Sequence, residues 1–404
     1  MSGQTIAPAR GATALLLTVT LLIALQPLST DLYLPSLPGL TRYFDASVAS
    51  VQWTLTLFIL AFGIAQLVAG PLTDRFGRHP VAIGALLVYC AASLACMLAP
   101  SLNWLIAGRV LQGIGACTAL VCARAIIRDS YTPQDGARML AKAGSIMALA
   151  PLFGPLLGGF LEAAFNWRAA FAVLTLTGFV GLWAVITQIG ETNQHRNPRA
   201  LHVGPLLTNY RAIAAHAGFW AYTLAVTASY AGLFAYLSGS SPVLQKVLGL
   251  SPPQFGVGFA ACTVGYLVGT LLCRRWIGRV GVQRTMQRGA LIGLAGGAGL
   301  VGLALAGVHH WAAILVPQAA YLVAHGCIQP CAQAGSAAHF PKNAGAATAL
   351  MGFVMMMVAT GVGMWMGGSF NGTVYPLTFT VGAAAVAMGA VVFGLVRRYG
   401  ALPG

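Results

Sequence analysis

Gly70-Pro71-Leu72-Thr73-Asp74-Arg75-Phe76-Gly77-Arg78-His79-Pro80 is a charged, glycine-containing turn between two apolar runs, 51–73 and 81–99. A run of about 20 apolar residues is long enough to cross a bilayer as a helix. The turn leaves room only for antiparallel neighbours. Glycine supplies the tight reversal, and Asp74 can cap the positive end of the following helix. Apolar runs and short polar turns alternate in this way along the whole chain. Of its 404 residues 58% are hydrophobic and only 7% charged, and its mean hydropathy is +0.78. A soluble domain carries roughly a quarter charged residues. The chain therefore reads as an all-α, polytopic membrane protein; barrel strands would alternate residue by residue instead.

Twelve spans are expected, at 13–39, 51–73, 81–99, 104–127, 139–164, 169–190, 217–241, 255–277, 285–307, 312–337, 345–370 and 375–396. The first follows a single base, Arg10, and is too long for a signal-peptide core, so it is expected to stay. With both termini in the cytoplasm, eighteen of the 22 basic residues fall at cytoplasmic loops or adjacent helix ends. Arg42, Arg168 and Lys246 fall outside, and Arg109 lies within a span. One missed helix would invert everything after it, so this bias supports both the span count and the orientation. It also accounts for the net charge of +15 without a nucleic-acid partner. The eight cysteines all lie in apolar runs without zinc or redox spacing, so neither a disulfide framework nor a metal site is expected.

The longest polar stretch, Glu191 to His216, includes His195, Arg196, Pro198, Arg199 and Pro205. It divides the chain into an N-terminal six-helix bundle at 1–190, a cytoplasmic linker at 191–216 and a C-terminal six-helix bundle at 217–404. A faint repeat supports the division. Shifted by 204 residues, Arg75-Phe76-Gly77 falls on Arg279-Val280-Gly281 and Pro38 on Pro242. The acids break this symmetry. They are Asp31, Asp45, Asp74, Asp129, Asp135, Glu162 and Glu191, and the repeat partner of Asp31 is Ala235. Any carboxylate chemistry belongs to the N-terminal half.

Asp31, in Ser29-Thr30-Asp31-Leu32-Tyr33-Leu34-Pro35, is expected roughly 10 Å below the outer surface at 1.5 Å of rise per residue. An ionisable group at that depth costs several kcal/mol unless it faces a watery cavity, finds a partner or stays protonated. It is either a proton-exchanging site or a structural cap where the helix breaks near Pro35. Arg109, in Gly108-Arg109-Val110-Leu111-Gln112-Gly113, is the one base within a span and is expected at similar depth. Close to Asp31 it would hold the carboxylate ionised; moving away would release it. The alternative is a fixed ion pair between two helices. Further cavity candidates are Thr30, Tyr33, Gln112, Tyr230, Phe234, His325 and Gln329. His325 is the titratable side chain in mid-membrane in the second half, although a lone membrane histidine is more often a packing residue. In the fifth span Pro151, Gly154, Pro155, Gly158 and Gly159 form a Gly/Pro-interrupted helix, where glycine permits close packing and proline a bend.

On these motifs the chain resembles the major facilitator superfamily, and within it the twelve-span drug:proton antiporters of the Bcr/CflA type, over essentially its whole length. The family's loop motif matches at Gly70, Leu72, Asp74, Arg75, Gly77 and Arg78, with His79 in place of the usual base. The fourth-span motif matches at Arg109, Gln112, Gly113 and Gly115, and the antiporter motif at Gly154, Pro155, Gly158 and Gly159, with Ala150 where a glycine is common. Asp31, Tyr33, Leu34, Pro35, Leu37 and Pro38 meet the first-span signature. The resemblance implies two bundles rocking about a central cavity, Asp31 as proton and substrate site, and Arg109 as its modulator. It also implies that the Asp74 loop is a cytoplasmic latch looking toward Gly345, with Arg128 and Asp129 in the same charge cluster.

The expected function is proton-coupled export of small, largely apolar neutral or cationic compounds by alternating access. A dedicated metabolite exporter or a symporter (for a nucleoside, amino acid or sugar) is the alternative. No nucleophile–base pair or metal cluster falls in the spans, so the chain is not read as an enzyme. No cofactor is expected, the proton being the coupling ion, and the chain is expected to work as a monomer in the lipid bilayer. Nineteen arginines against three lysines suggest a GC-rich bacterial genome, and a bacterial inner membrane is the expected location.

Overall fold

The computed structural model describes residues 12–401 except Ala148 and His195. Arg10 and His195, placed above in the cytoplasm, lie outside the described residues. The chain folds into helices α1 (Ala12–Asp31), α2 (Leu37–Tyr43), α3 (Val48–Phe76), α4 (Arg78–Met97), α5 (Leu102–Ser130), α6 (Pro133–Met147), α7 (Ala150–Ala164) and α8 (Trp167–Gln188). After a polar stretch come α9 (Val203–Ala214), α10 (Ala217–Ser241), α11 (Pro252–Leu305), α12 (Trp311–Ala338), α13 (Ala344–Ser369), α14 (Tyr375–Val391) and α15 (Arg397–Tyr399). Helix starts follow local chemistry. Ser47 accepts from the Ser50 N–H, Ser101 from Trp104 and Asn166 from Arg168, while Ser251 and Gln254 form a reciprocal capping box.

Among the described residues nine helices are long and apolar enough to cross a membrane. Large apolar side chains such as Trp183, Leu176, Leu271 and Trp365 face outward, where an aqueous surface would carry charge. The protein is a multi-pass membrane protein. α11 has 54 residues; straight, it would be about 80 Å long against a hydrocarbon core of about 30 Å. It is broken at Gly281 (φ 78°, ψ 173°), a conformation that a side chain would strain, so two spans join there without a loop. α10 is enclosed along most of its length and buries Thr223, Thr227, Ser229, Ser238, Ser240 and Ser241. Those hydroxyls lower its apolarity but not its burial.

Three expected boundaries shift. The first span is not continuous over 13–39, because α1 ends at Asp31 and the chain passes through a 3-10 turn, Leu34–Ser36, into α2. Proline nitrogens at positions 35 and 38 cannot donate the helical hydrogen bonds needed there. The fifth span, expected over 139–164, is split between α6 and α7. The polar linker contains a helix of its own, α9, which packs near α10 and α13.

α1 packs on α5, α6, α7 and α8, while α4 packs on α5 and α8. α10 packs on α12, α13 and α14, and α11 on α12 and α14. Two crossings join these groups, α3 against α13 and α7 against α11. On the face carrying Pro35 to Thr41 the groups are tied further. Gln52 Nε2 donates to the Ser238 carbonyl and Ser238 Oγ donates back to Gln52 Oε1 at 3.0 Å. Gln245 reaches the Pro35 carbonyl at 3.1 Å and Lys246 the Thr41 hydroxyl at 2.7 Å. The space left beside these contacts is about 10 Å³, so this face is sealed. At the opposite face the Asp74 turn borders a cavity of about 680 Å³.

Candidate transport site

Asp31 is the last residue of α1 and is buried. Its carboxylate accepts from the Thr30 hydroxyl at 2.8 Å. Among the described residues no backbone N–H donates to it and no base pairs with it. The break after α1 therefore leaves an acid that caps no helix. Asp31 lines a cavity of about 130 Å³. Gln26, Pro27, Thr30, Asp31 and Pro151 form one wall; Tyr230, Leu233, Leu237, Phe259, Thr263, Tyr266, Leu322, His325 and Gln329 form the other. A cavity of about 150 Å³ takes a benzene-sized guest, so this one has room for a single ring.

The glycines of α7 explain how close α1 lies. A Cβ on Gly154 would sit 3.1 Å from the Asp31 Cβ, and one on Gly158 would overlap the Leu32 carbonyl. Gly159 faces the other way, where a Cβ would overlap the Pro252 carbonyl of α11. Adjacent glycines thus let α7 approach two helices at once, one carrying the acid and one carrying the opposite wall.

On that wall His325 Nδ1 lies 2.9 Å from Ser229 Oγ, and the Tyr266 hydroxyl donates to Gln329 Oε1 at 3.0 Å. The His325 ring is 6.0 Å from Tyr230 and 5.8 Å from Tyr266. Asp31, Thr30, Tyr230, His325 and Gln329 are therefore brought together. Phe259, Thr263 and Tyr266 join them although the motifs did not single them out. Their spacing, i, i+4 and i+7, marks one helix face, which was the available signal.

Arg109, Gln112, Tyr33 and Phe234 are not on the cavity. The expected approach of Arg109 to Asp31 is absent here, and no ion pair joins them. Arg109 is fully buried in an aromatic cage, its guanidinium carbon 4.3 Å from the Phe58 ring centre, 4.9 Å from Tyr33 and 5.9 Å from Phe171. It donates to the Thr54 carbonyl at 3.1 Å and to Gln112, whose amide donates to Ser93 at 2.7 Å. The Tyr33 hydroxyl is bonded to Thr54. Ring faces and carbonyl dipoles replace a carboxylate in balancing the buried cation. Phe234 stacks on Tyr230 at 6.2 Å and packs against α13 near Gly363.

At the opposite face Arg78 is the hub of the turn. It pairs with Asp74 at 2.6 Å and Asp129 at 2.9 Å and donates to the Thr73 hydroxyl at 2.6 Å. Arg128 stands 3.7 Å from Asp129. Glu191, read only as the start of the linker, accepts from the Arg78 backbone N–H at 2.9 Å and so completes the start of α4. Gly77, with φ 103°, holds the reversal; a Cβ there would meet the Glu191 carboxylate and the backbone would be strained. Gly70 has open space beside it and Leu72 packs against the apolar core. Arg75 lies over the Phe76 ring at 5.1 Å, outside the network. Asp74 and Gly345 line the same 680 Å³ cavity, and Arg128 is the group nearest the glycine.

A buried acid on a cavity between two groups of membrane helices, tied to each other on one face, defines a membrane transporter. The Major Facilitator Superfamily profile matches residues 19–364 and again 226–402. The chain is 28% identical to a bicyclomycin resistance protein homolog of Haemophilus influenzae over 371 residues, covering 92% of this chain and 93% of that one. It is 30% identical to multidrug resistance protein D of Escherichia coli over 340 residues, 84% of each chain. In fold it is similar to the crystal structure of the peptide transporter POT, with a TM-score of 0.75, 15% identity, and coverage of 98% of this chain and 97% of that one. The chain belongs to the major facilitator superfamily, in its Bcr/CflA-type branch, whose members are transporters rather than enzymes.

Proposed function

We propose that this chain exports small, largely apolar neutral or cationic compounds across the bacterial inner membrane in exchange for protons. The observation that carries the reading is the Asp31 carboxylate, free of any cationic partner among the described residues, on a cavity walled by Tyr230, Phe259 and Tyr266. Aromatic faces and one carboxylate together suit a ring-bearing amine. The relatives' names, a bicyclomycin resistance homolog and multidrug resistance proteins, support export of such compounds.

In this scheme the Asp74 face is cytoplasmic and both termini lie on that side. Twelve spans form bundles at 1–190 and 217–404 joined by a linker at 191–216, and the monomer is the working unit. Substrate enters from the cytoplasmic side and binds while Asp31 is ionised. After the sealed face opens, a proton from the acidic side takes the carboxylate and the substrate leaves. One site thus serves two ligands in turn. Arg109 acts as a positioning residue: its cage includes Tyr33, two residues beyond Asp31, and holds the chain where α1 breaks. His325 and Gln329 supply polar contacts opposite the acid. No cofactor takes part.

The test is transport in proteoliposomes under an imposed proton gradient, with a panel of ring-bearing amines and neutral analogues. Wild type should move at least one compound against its gradient, an ionophore should abolish this, and Asp31→Asn should equilibrate the compound without concentrating it. Concentration by Asp31→Asn equal to wild type would refute the coupling. If no compound responds, a dedicated metabolite exporter or symporter of the same fold takes precedence.

A further inference from the structure

The 680 Å³ cavity at the Asp74 face lies between α3, α5, α9 and the start of α13, and is within the size range of small-ligand sites. Its charge is lopsided. Arg124, Arg128 and Arg199 line it, while its one lining carboxylate, Asp74, is already held by Arg78 at 2.6 Å. Arg124, in the last two turns of α5, is exposed to the cavity. Among the described residues no carboxylate or hydrogen-bond acceptor engages its side chain or that of Arg199. Arg128 is more loosely placed, 60% exposed and 3.7 Å from an Asp129 that Arg78 holds more closely. The guanidinium of Arg128 lies 3.4 Å from where a Cβ of Gly345 would be, beside the first turn of α13. Asn343, the N-cap of that helix, provides no side-chain cap. A 3-10 turn, Pro341–Asn343, runs directly into α13 beside the same cations.

Three guanidinium groups on one cavity whose only lining carboxylate is already paired give that cavity a positive potential. Planar guanidinium forks match oxygens arranged around phosphorus. We propose that this cavity is a binding site for a phosphate-bearing anion, with Arg124 and Arg199 as its principal ligands and Arg128 completing it. A bound anion would bridge α5 and the linker at 191–216. The site is separate from Asp31 and does not depend on the export reading. The phosphate can come from a soluble organic phosphate or from the headgroup of an anionic phospholipid.

The experiment uses the purified full-length protein with two probes. Pyrophosphate is titrated calorimetrically in nonionic detergent at fixed ionic strength, and thermal midpoints are compared in nanodiscs of phosphatidylcholine with and without phosphatidylglycerol. At least one probe is expected to bind wild type. Arg124→Gln should weaken that binding about ten- to hundredfold, Arg199→Gln should weaken it less, and Arg288→Gln, whose guanidinium lies over Trp276 instead, should leave it unchanged. Arg124→Lys keeps the charge and should restore part of the affinity, which separates loss of the ligand from misfolding. Pyrophosphate binding that depends on Arg124 identifies a soluble anion. Stabilisation by phosphatidylglycerol that depends on Arg124 identifies a headgroup. No response to either probe, or a response that Arg124→Gln leaves intact, overturns the site.

Discussion

Replacing Gly158 with alanine tests the helix approach on which the acid's position depends. The new Cβ would overlap the Leu32 carbonyl oxygen and stand 2.8 Å from its carbon. Both are backbone atoms, so neither can swing aside as a side chain would. Ordinary carbon contacts begin near ~3.5 Å, so α7 and α1 must part by about 0.7 Å at least. Overpacking of this kind costs roughly 1–3 kcal/mol, while alanine in place of helical glycine returns about 0.4–1 kcal/mol. Gly84→Ala provides the matching control, because it lies within α4 with nothing inside 4 Å of the added Cβ. The propensity gain cancels between the two variants, so Gly158→Ala should be less stable than Gly84→Ala by about 1–3 kcal/mol. Unfolding by SDS titration in mixed micelles, followed by tryptophan fluorescence, measures the difference. Transport should fall with it, since Asp31 adjoins the displaced residue. Equal stabilisation by both alanines would show that α7 does not touch α1 as described, and the account of the glycine motif would fail.

Two further outcomes follow from the geometry. If a proton and a monovalent cation compete for Asp31, affinity for the cation weakens as the pH falls, by at most tenfold per pH unit for one-for-one exchange; Asp31→Asn should flatten the curve, and fluorescence-monitored binding from acid to alkaline pH would expose a wild type already flat. At the sealed face, Gln52→Ala and Ser238→Ala should each shift the population toward an open form, and the double variant should show a coupling of about 0.5–3 kcal/mol. Spin-label distances between positions 45 and 251 read this out, and unchanged distributions in all three would show that the pair does not hold the seal.

Local rules account for much of the architecture. The membrane class follows from composition, because 7% charged residues cannot cover a water-facing surface. The turn at Gly77 was legible because one residue type tolerates its backbone conformation, and Asp31 was legible because an acid in an apolar run is expensive. Other features were less readable. The split of the first span after Asp31 was readable only as a break near Pro35. The break of α11 at Gly281 falls in the loop expected between 255–277 and 285–307, but the shortness of that turn gave no signal, since Arg274, Arg275, Arg279 and Arg284 fit a helix as well as a turn. α9 was hidden inside a stretch whose polarity and prolines read as a linker.

Depth and sequence pattern placed Arg109 near Asp31, but depth is one coordinate of three. The direction in which each helix turns its side chains depends on what packs beside it. Phe58 of α3, Phe171 of α8 and Tyr33 in the turn after α1 draw the guanidinium into the first group of helices and away from the cavity. The same holds for Glu191, whose bond to the Arg78 N–H joins positions 113 residues apart. Sequence alone determined which residues were too costly to bury without a use, because that cost is set by the chemistry of one side chain. Only the tertiary structure decided which of them face one another, because that depends on helix rotation and on long-range packing that no local pattern records.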